Sequence, residues 1–453
     1  MKRGGGGTTI PSHTVHRSIL SIAIPSIISN ITVPLLGLAD TAITGHLGSA
    51  AYMAAIAIGT SVFSTCYWIF SFLRMATGGL TAQRYGASDW SGARLCLQRA
   101  MAVALAVSAV IILLQQPLAT LALNLMDASG EVRALALLYF RILVWGAPAS
   151  LALFALNGWF IGMQDARSPM WVALTQNVLN VALSAWLVFG AGWRIEGVAT
   201  GTLAAQWTGF ALAAILALRR YRKLRMQSDG GRLERVTWRR YFSVGRDIFL
   251  RTLCLVSVMF SFTVFGARMG DTVLAANAIL MQFFLFVSYF MDGFAYAGEA
   301  LGGRFLGSGN RGAFASLHRA LFVWGIAMAG VFTLFFAFAG EWTVCLLTNV
   351  GAVRQAAFRL LPVAMAVPFV SIVTFIYDGL FIGITATRDM FLSTAAGTLG
   401  YFALTALGTH LPLMGPECWL WAAFLLYLAL RGGVQASLLP GIVRRKFHVQ
   451  TAT

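Results

Sequence analysis

Long apolar runs, broken by short polar turns, repeat along the whole chain. A helix needs about 20 apolar residues to cross a bilayer. By that measure twelve spans are predicted, at 17–40, 50–75, 97–124, 133–163, 168–190, 196–219, 242–267, 272–300, 314–339, 354–384, 389–409 and 416–440. Helices are the form expected, because each span must satisfy its own backbone polar groups inside hydrocarbon. The alternating short segments of a membrane barrel are missing from the pattern. The expected fold class is an all-α integral membrane protein.

Composition agrees with this reading. Of 453 residues, 58% are hydrophobic and only 11% charged, against about 25% charged in soluble domains. The first apolar stretch has a basic start (Lys2, Arg3, Arg17) but runs too long for a cleaved signal and lacks a small-residue cleavage site, so it reads as an uncleaved span. The glycine run at 4–7 reads as a flexible tail. Five scattered cysteines and six dispersed histidines form no CxxC or HExxH spacing, so neither a disulfide framework nor a metal site is expected. P-loop, GxSxG and nucleotide-binding glycine patterns are also missing. Neither an enzyme nor a bound cofactor is expected.

The net charge of +17 is distributed unevenly. With twelve spans both termini lie on one side, and that side carries most of the basic residues. The opposite turns hold only Arg133, Arg194, Arg268 and Arg354. The positive-inside rule then makes both termini cytoplasmic. The basic run at 219–240 reads as an anchor beside anionic lipid headgroups. A nucleic-acid partner would want a basic soluble domain, and none is predicted.

The same run divides the chain into two halves that resemble each other. Residues 82–100 align with 302–320 at an offset of 220, pairing Arg84 with Arg304, Ser88 with Ser308, Gly92 with Gly312 and Arg99 with Arg319. Residues 140–167 align with 358–388, pairing Pro148 with Pro368, Asn157 with Asp378 and Gly162 with Gly383. The expected organisation is an N-lobe (1–220, spans 1–6), a basic linker (221–240) and a C-lobe (241–453, spans 7–12). Each half has an even number of spans, so the lobes are parallel repeats and pseudo-symmetric, an architecture of secondary transporters.

Four acids fall within or at the edge of spans: Asp40, Asp292, Glu299 and Asp378. An ionisable residue at that depth is costly to insert and commonly marks an ion path. Asp40 is either an interfacial helix end or a cavity-facing proton acceptor. Its span contains Pro25 and Pro34, each of which removes a helical hydrogen bond and is a candidate kink for a gate. A polar set follows in the N-half. Asn177, Asn180 and Ser184 share one helix face, Asn157 is in the fourth span, and Thr202 and Gln206 are in the sixth. These residues either line a cavity or serve as interhelical hydrogen-bond glue. Asp378 is a C-lobe candidate, or else a structural ion-pair partner of an intramembrane arginine such as Arg251. Asp292 and Glu299 share a face, and Glu299 reads mainly as structural.

The segments "LGLADTAITGHLGS", "FLRMATGGLTAQRYGA", "GWFIGMQDARSPM", "GRDIFLRTLCL", "GEALGGRFLGSG" and "YDGLFIGITATRDM" resemble the multidrug and toxic compound extrusion (MATE) family, and its DinF branch most. The resemblance runs from the first span to the eleventh. It implies a cation-coupled antiporter of the bacterial inner membrane that exports cationic or amphipathic organic compounds by alternating access, with Asp40 as the proton-coupling acid. Some members carry a second acid in the fifth span, where this chain has Ser184. Other branches bind sodium between acids of the seventh and tenth spans, and here the seventh has only Asp247 near its start. Proton coupling is therefore expected over sodium. A flippase or exporter of lipid-linked or amphiphilic metabolites is the alternative. The expected partners are small organic cations or amphiphiles and the bilayer, with the chain acting as a monomer.

Overall fold

The computed structural model describes residues 12–47, 49–125, 129–222, 237–408 and 415–452; the glycine run at 4–7 and most of the basic linker (223–236) lie outside them. Among the described residues, twelve helical segments are long and apolar enough to cross a membrane. They match the predicted spans in order and number, so the protein is an all-helical multi-pass membrane protein.

Several helices outrun their predicted limits. The eighth (Asp271–Gly307) and ninth (Arg311–Leu347) each have 37 residues, about 55 Å of helix against about 30 Å of hydrocarbon. The third is shorter than predicted. It ends at Leu113, and a separate helix, Gln115–Leu125, follows. Pro117 explains the break: its ring would collide with the carbonyl four residues back, that of Leu113, and it has no N–H to offer there. Pro25 and Pro34 have no such effect, since the first helix runs from Ser12 to Gly45 without interruption. The prolines remove the helical N–H partners of the Ser21 and Asn30 carbonyls and leave the helix continuous.

The chain forms two compact units. One comprises Ile28–Tyr241. The other comprises the residues up to Ile27 together with those from Phe242 onward. In this second unit the start of the first span is held by side-chain contacts. Trp324 Nε1 donates to His16 Nδ1 at 3.1 Å, and Gly293 lies against Ile27 and the Ala23 carbonyl.

The internal repeat is expressed in the backbone of each half. Left-handed residues occur at Ser88 and Gly309, and again at Gln164 and Thr385. Both pairs are 221 positions apart (309 less 88, 385 less 164). Asp89 and Asn310 each cap the following helix, accepting from the N–H of Gly92 and Ala313 respectively. This register corrects the sequence alignment of 82–100 by one residue: Ser88 is equivalent to Gly309, and Arg84 to Phe305. Register follows where the chain turns, and the matching of Arg84 with Arg304 was a coincidence of composition. The pairings of Asn157 with Asp378 and Gly162 with Gly383 agree with the backbone offset.

Two glycine crossings obey the same offset. A Cβ on Gly158 would overlap the carbonyl of Arg74, and one on Gly379 would overlap the carbonyl of Ala295. The fourth span thus meets the second backbone to backbone, and the tenth meets the eighth in the same way. Gly379→Ala must push the two helices apart, an overpacking strain of about 1–3 kcal/mol. A lowered thermal midpoint in detergent is expected, whereas Gly433→Ala, where a Cβ meets open space, should leave the midpoint unchanged.

Candidate functional site

The first site is built on the unit Ile28–Tyr241. Asp40 is half-buried near the end of the first helix. Its Oδ1 is buried and has no hydrogen-bond partner among the described residues. The carboxylate lies close enough to Tyr139 for its charge to act on that phenol. Tyr139 is itself buried and is fixed by a glycine. A Cβ on Gly59 would lie 2.9 Å from the ring Cε1, so only glycine admits the ring at that crossing. The Tyr139 hydroxyl makes one long contact, 3.4 Å to Thr60, with Thr202 within its reach. At that length the phenol is weakly held and can turn.

The polar face of the fifth span divides into two parts. Asn177 Nδ2 donates to Thr32 Oγ1 at 2.7 Å, and Thr32 donates onward to the Ser29 carbonyl at 2.7 Å. This chain ties the fifth span to the stretch of the first helix between its two prolines. Ser184 Oγ donates to Asn180 Oδ1 at 3.1 Å. Both residues are buried, and a Cβ on Gly201 would lie 2.7 Å from the Ser184 backbone nitrogen. Ser184 is therefore packed into the crossing of the fifth and sixth spans. Thr202 gives its hydrogen to the Val198 carbonyl at 2.9 Å, so its 3.5 Å approach to Asn180 is a contact and not a second donation. Gln206 packs its amide on Gly146. Among the described residues Asn157 Oδ1 and Gln206 Oε1 are buried without hydrogen-bond partners, and neither atom bonds Asp40.

A second constellation lies in the other unit. Asp378 is 6% exposed and accepts from three side chains. Arg251 Nη2 donates to Oδ2 at 2.5 Å, Arg431 donates to the same oxygen, and Gln435 Nε2 donates to Oδ1 at 2.8 Å. Arg431 also contacts the Tyr427 hydroxyl at 3.4 Å. Sequence reasoning named Arg251 and missed Arg431, Gln435 and Tyr427. A signal for them exists: Tyr427, Arg431 and Gln435 recur every fourth residue and so form a polar stripe on an apolar span. Asp292 is half-buried and Glu299 fully buried. The Glu299 backbone carbonyl forms the surface against which Gly383 packs.

In the turn between the fourth and fifth spans, Asp165 Oδ2 accepts from Ser168 (2.7 Å) and, from the end of the sixth span, from Tyr221 (3.1 Å) and Arg220 (3.1 Å). Burial, reinforced by the Asp165 charge, pushes the Tyr221 phenol up, which keeps it a donor. Among the described residues no three His, Cys, Asp or Glu side chains converge as a metal site would require.

A family model matches residues 25–186 and again residues 248–407. The chain belongs to the MatE family. One match falls in each half, so the MatE model itself reads the duplication. The chain is 38% identical over 420 residues to DNA damage-inducible protein F of Escherichia coli (strain K12), covering 92% of this chain and 90% of that protein. It is 29% identical over 340 residues to a probable multidrug resistance protein NorM of Deinococcus radiodurans, covering 73% of each. A crystal structure of MATE in the bent conformation superposes with a TM-score of 0.83 at 19% identity, covering 98% of this chain and 100% of that one. At that identity the likeness is one of fold. MatE membership makes the protein a transporter and not an enzyme. Against the MatE background, the partners that sequence reasoning missed in the first site are Tyr139 and Thr32. Both are ordinary residues in sequence and gain meaning only from what they touch.

Proposed function

We propose that the chain is a secondary active antiporter that exports cationic or amphipathic organic compounds in exchange for protons, with Asp40 as the acid that takes the proton. The observation that carries this reading is the buried, unpartnered Oδ1 of Asp40. A carboxylate oxygen without a donor, within electrostatic range of a loosely held phenol, is open to a proton in a way that a hydrogen-bonded one is not. Asp378 is a contrast, because every oxygen of its carboxylate already has a donor. That contrast supports coupling through the N-lobe and speaks against a sodium site at Asp378. The kinship with a protein named for multidrug resistance supports drug-like cargo. The basic linker and loops support an inner-membrane location with both termini cytoplasmic, and the chain is proposed to work as a monomer.

The test is dye efflux in inverted vesicles, using a fluorescent organic cation with either a proton or a sodium gradient imposed. The expected result is dye movement driven by protons, accompanied by collapse of the pH gradient, and no response to sodium. Movement driven by sodium alone would overturn the coupling assignment. Indifference to both gradients and to the dye would put the export of amphiphilic metabolites in its place.

A further inference from the structure

The Asp378 cluster carries more positive charge than negative. Arg251 and Arg431 are each 5% exposed, and both pair with the single Asp378. Among the described residues no second carboxylate lies within ion-pair distance of either guanidinium. The group therefore holds one surplus positive charge inside a lipid-embedded helix bundle. An uncompensated buried charge is among the most unfavourable features a fold can contain. The hydrogen-bond inventory shows the same deficit. Arg251 Nε and Arg431 Nε are both buried with no acceptor among the described residues. Gln435 spends its amide N–H on Asp378 and has its own Oε1 buried without a donor, and Tyr427 faces Arg431 through its hydroxyl oxygen. Neither supplies a negative charge. What the cluster lacks is one anion able to accept from guanidinium N–H groups.

We propose that the Arg251–Asp378–Arg431 cluster is a binding site for a small monovalent anion, held by the two guanidinium groups. Two sources share this chemistry: chloride from the medium, and a carboxylate group of the transported compound. Arginine suits either, because its fixed fork of donors serves two acceptors at once. Here one edge of each fork serves Asp378 and the Nε–H is left for the anion. Binding at this place is independent of the coupling ion, and it is measurable without transport.

The experiment uses the purified full chain in detergent. Thermal stability is followed while chloride or acetate replaces isethionate at constant sodium and ionic strength, and binding of radiolabelled chloride is measured directly. A site gives a saturable rise of about 2–4 °C and saturable label binding. Arg431→Gln should abolish both, because it leaves a neutral Arg251–Asp378 pair. Arg251→Gln is the second variant should the first fail to fold. Stabilisation by chloride, with label displaced by excess unlabelled chloride, assigns the anion of the medium. Stabilisation by acetate alone assigns a carboxylate of the cargo. A wild type that neither binds label nor gains stability from either anion over isethionate overturns the proposal, as does binding that survives in both arginine variants.

Discussion

Asp40→Asn should leave a folded, membrane-inserted protein that no longer couples dye efflux to protons. The structure gives the reason for both halves of that expectation. Asp40 makes no hydrogen bond among the described residues, and its Oδ1 is buried without a partner. An isosteric amide therefore removes no structural contact. Among the described residues, it does remove the one carboxylate beside the Tyr139, Thr60 and Thr202 hydroxyls. One proton exchanged across one pH unit is worth about 1.4 kcal/mol, or a tenfold ratio of cargo across the membrane. The variant should lose that tenfold ratio per pH unit and equilibrate dye to about a ratio of one. Asp40→Glu, which keeps a titratable oxygen, should retain part of it. The measurement is steady-state dye accumulation in inverted vesicles at several imposed pH differences. Normal accumulation by Asp40→Asn would make Asp40 an interfacial helix end and move the coupling acid elsewhere.

The spans were legible in the sequence because hydrocarbon thickness imposes a length and a polarity on every helix, and both can be counted along the chain. The end of the third span was legible in principle, since Pro117 sits in the run; a hydropathy count passes over a proline that sterics does not. The repeat was legible to within one residue. Its last residue of register needed the backbone, where the left-handed pair Ser88 and Gly309 marks the equivalent turns. The acids and the polar face of the fifth span stood out as costly residues in oily segments. Their division of labour did not. Asn177 and Ser184 lie on the same helical stripe, yet one binds the first span while the other is packed against Gly201. Tyr139 was invisible because tyrosine in a membrane helix is unremarked until a neighbour such as Asp40 gives its hydroxyl a role. Arg431 was overlooked near a glycine pair at the end of an apolar run, where an arginine passes for one that snorkels to the interface.

The largest loss of stability is expected from Asp378→Asn, and its size follows from which partner remains. Removing the carboxylate leaves Arg251 and Arg431, both buried, with no counter-charge from the protein. Breaking a buried ion pair from one side costs about 3–5 kcal/mol, enough to exhaust much of the stability of a typical domain. Arg431→Gln acts in the opposite direction on the charge count. It leaves Arg251 donating to Asp378 at 2.5 Å, a neutral pair, and should cost far less. The two variants thus separate charge from packing: a cluster held together by shape alone would suffer equally from either. Asp378→Leu combined with Arg251→Met and Arg431→Met removes all three charges at similar volume and should recover most of the stability lost by Asp378→Asn, since apolar replacement of a buried charge cluster is commonly neutral or better. Thermal midpoints and the folded fraction after detergent extraction, measured for wild type and the three variants, check the series. Equal losses in Asp378→Asn and Arg431→Gln, or a triple variant worse than Asp378→Asn, would show that charge balance does not govern the cluster. If the triple variant instead is stable, then the cluster is dispensable for the fold, and its three charges must be retained for what they bind.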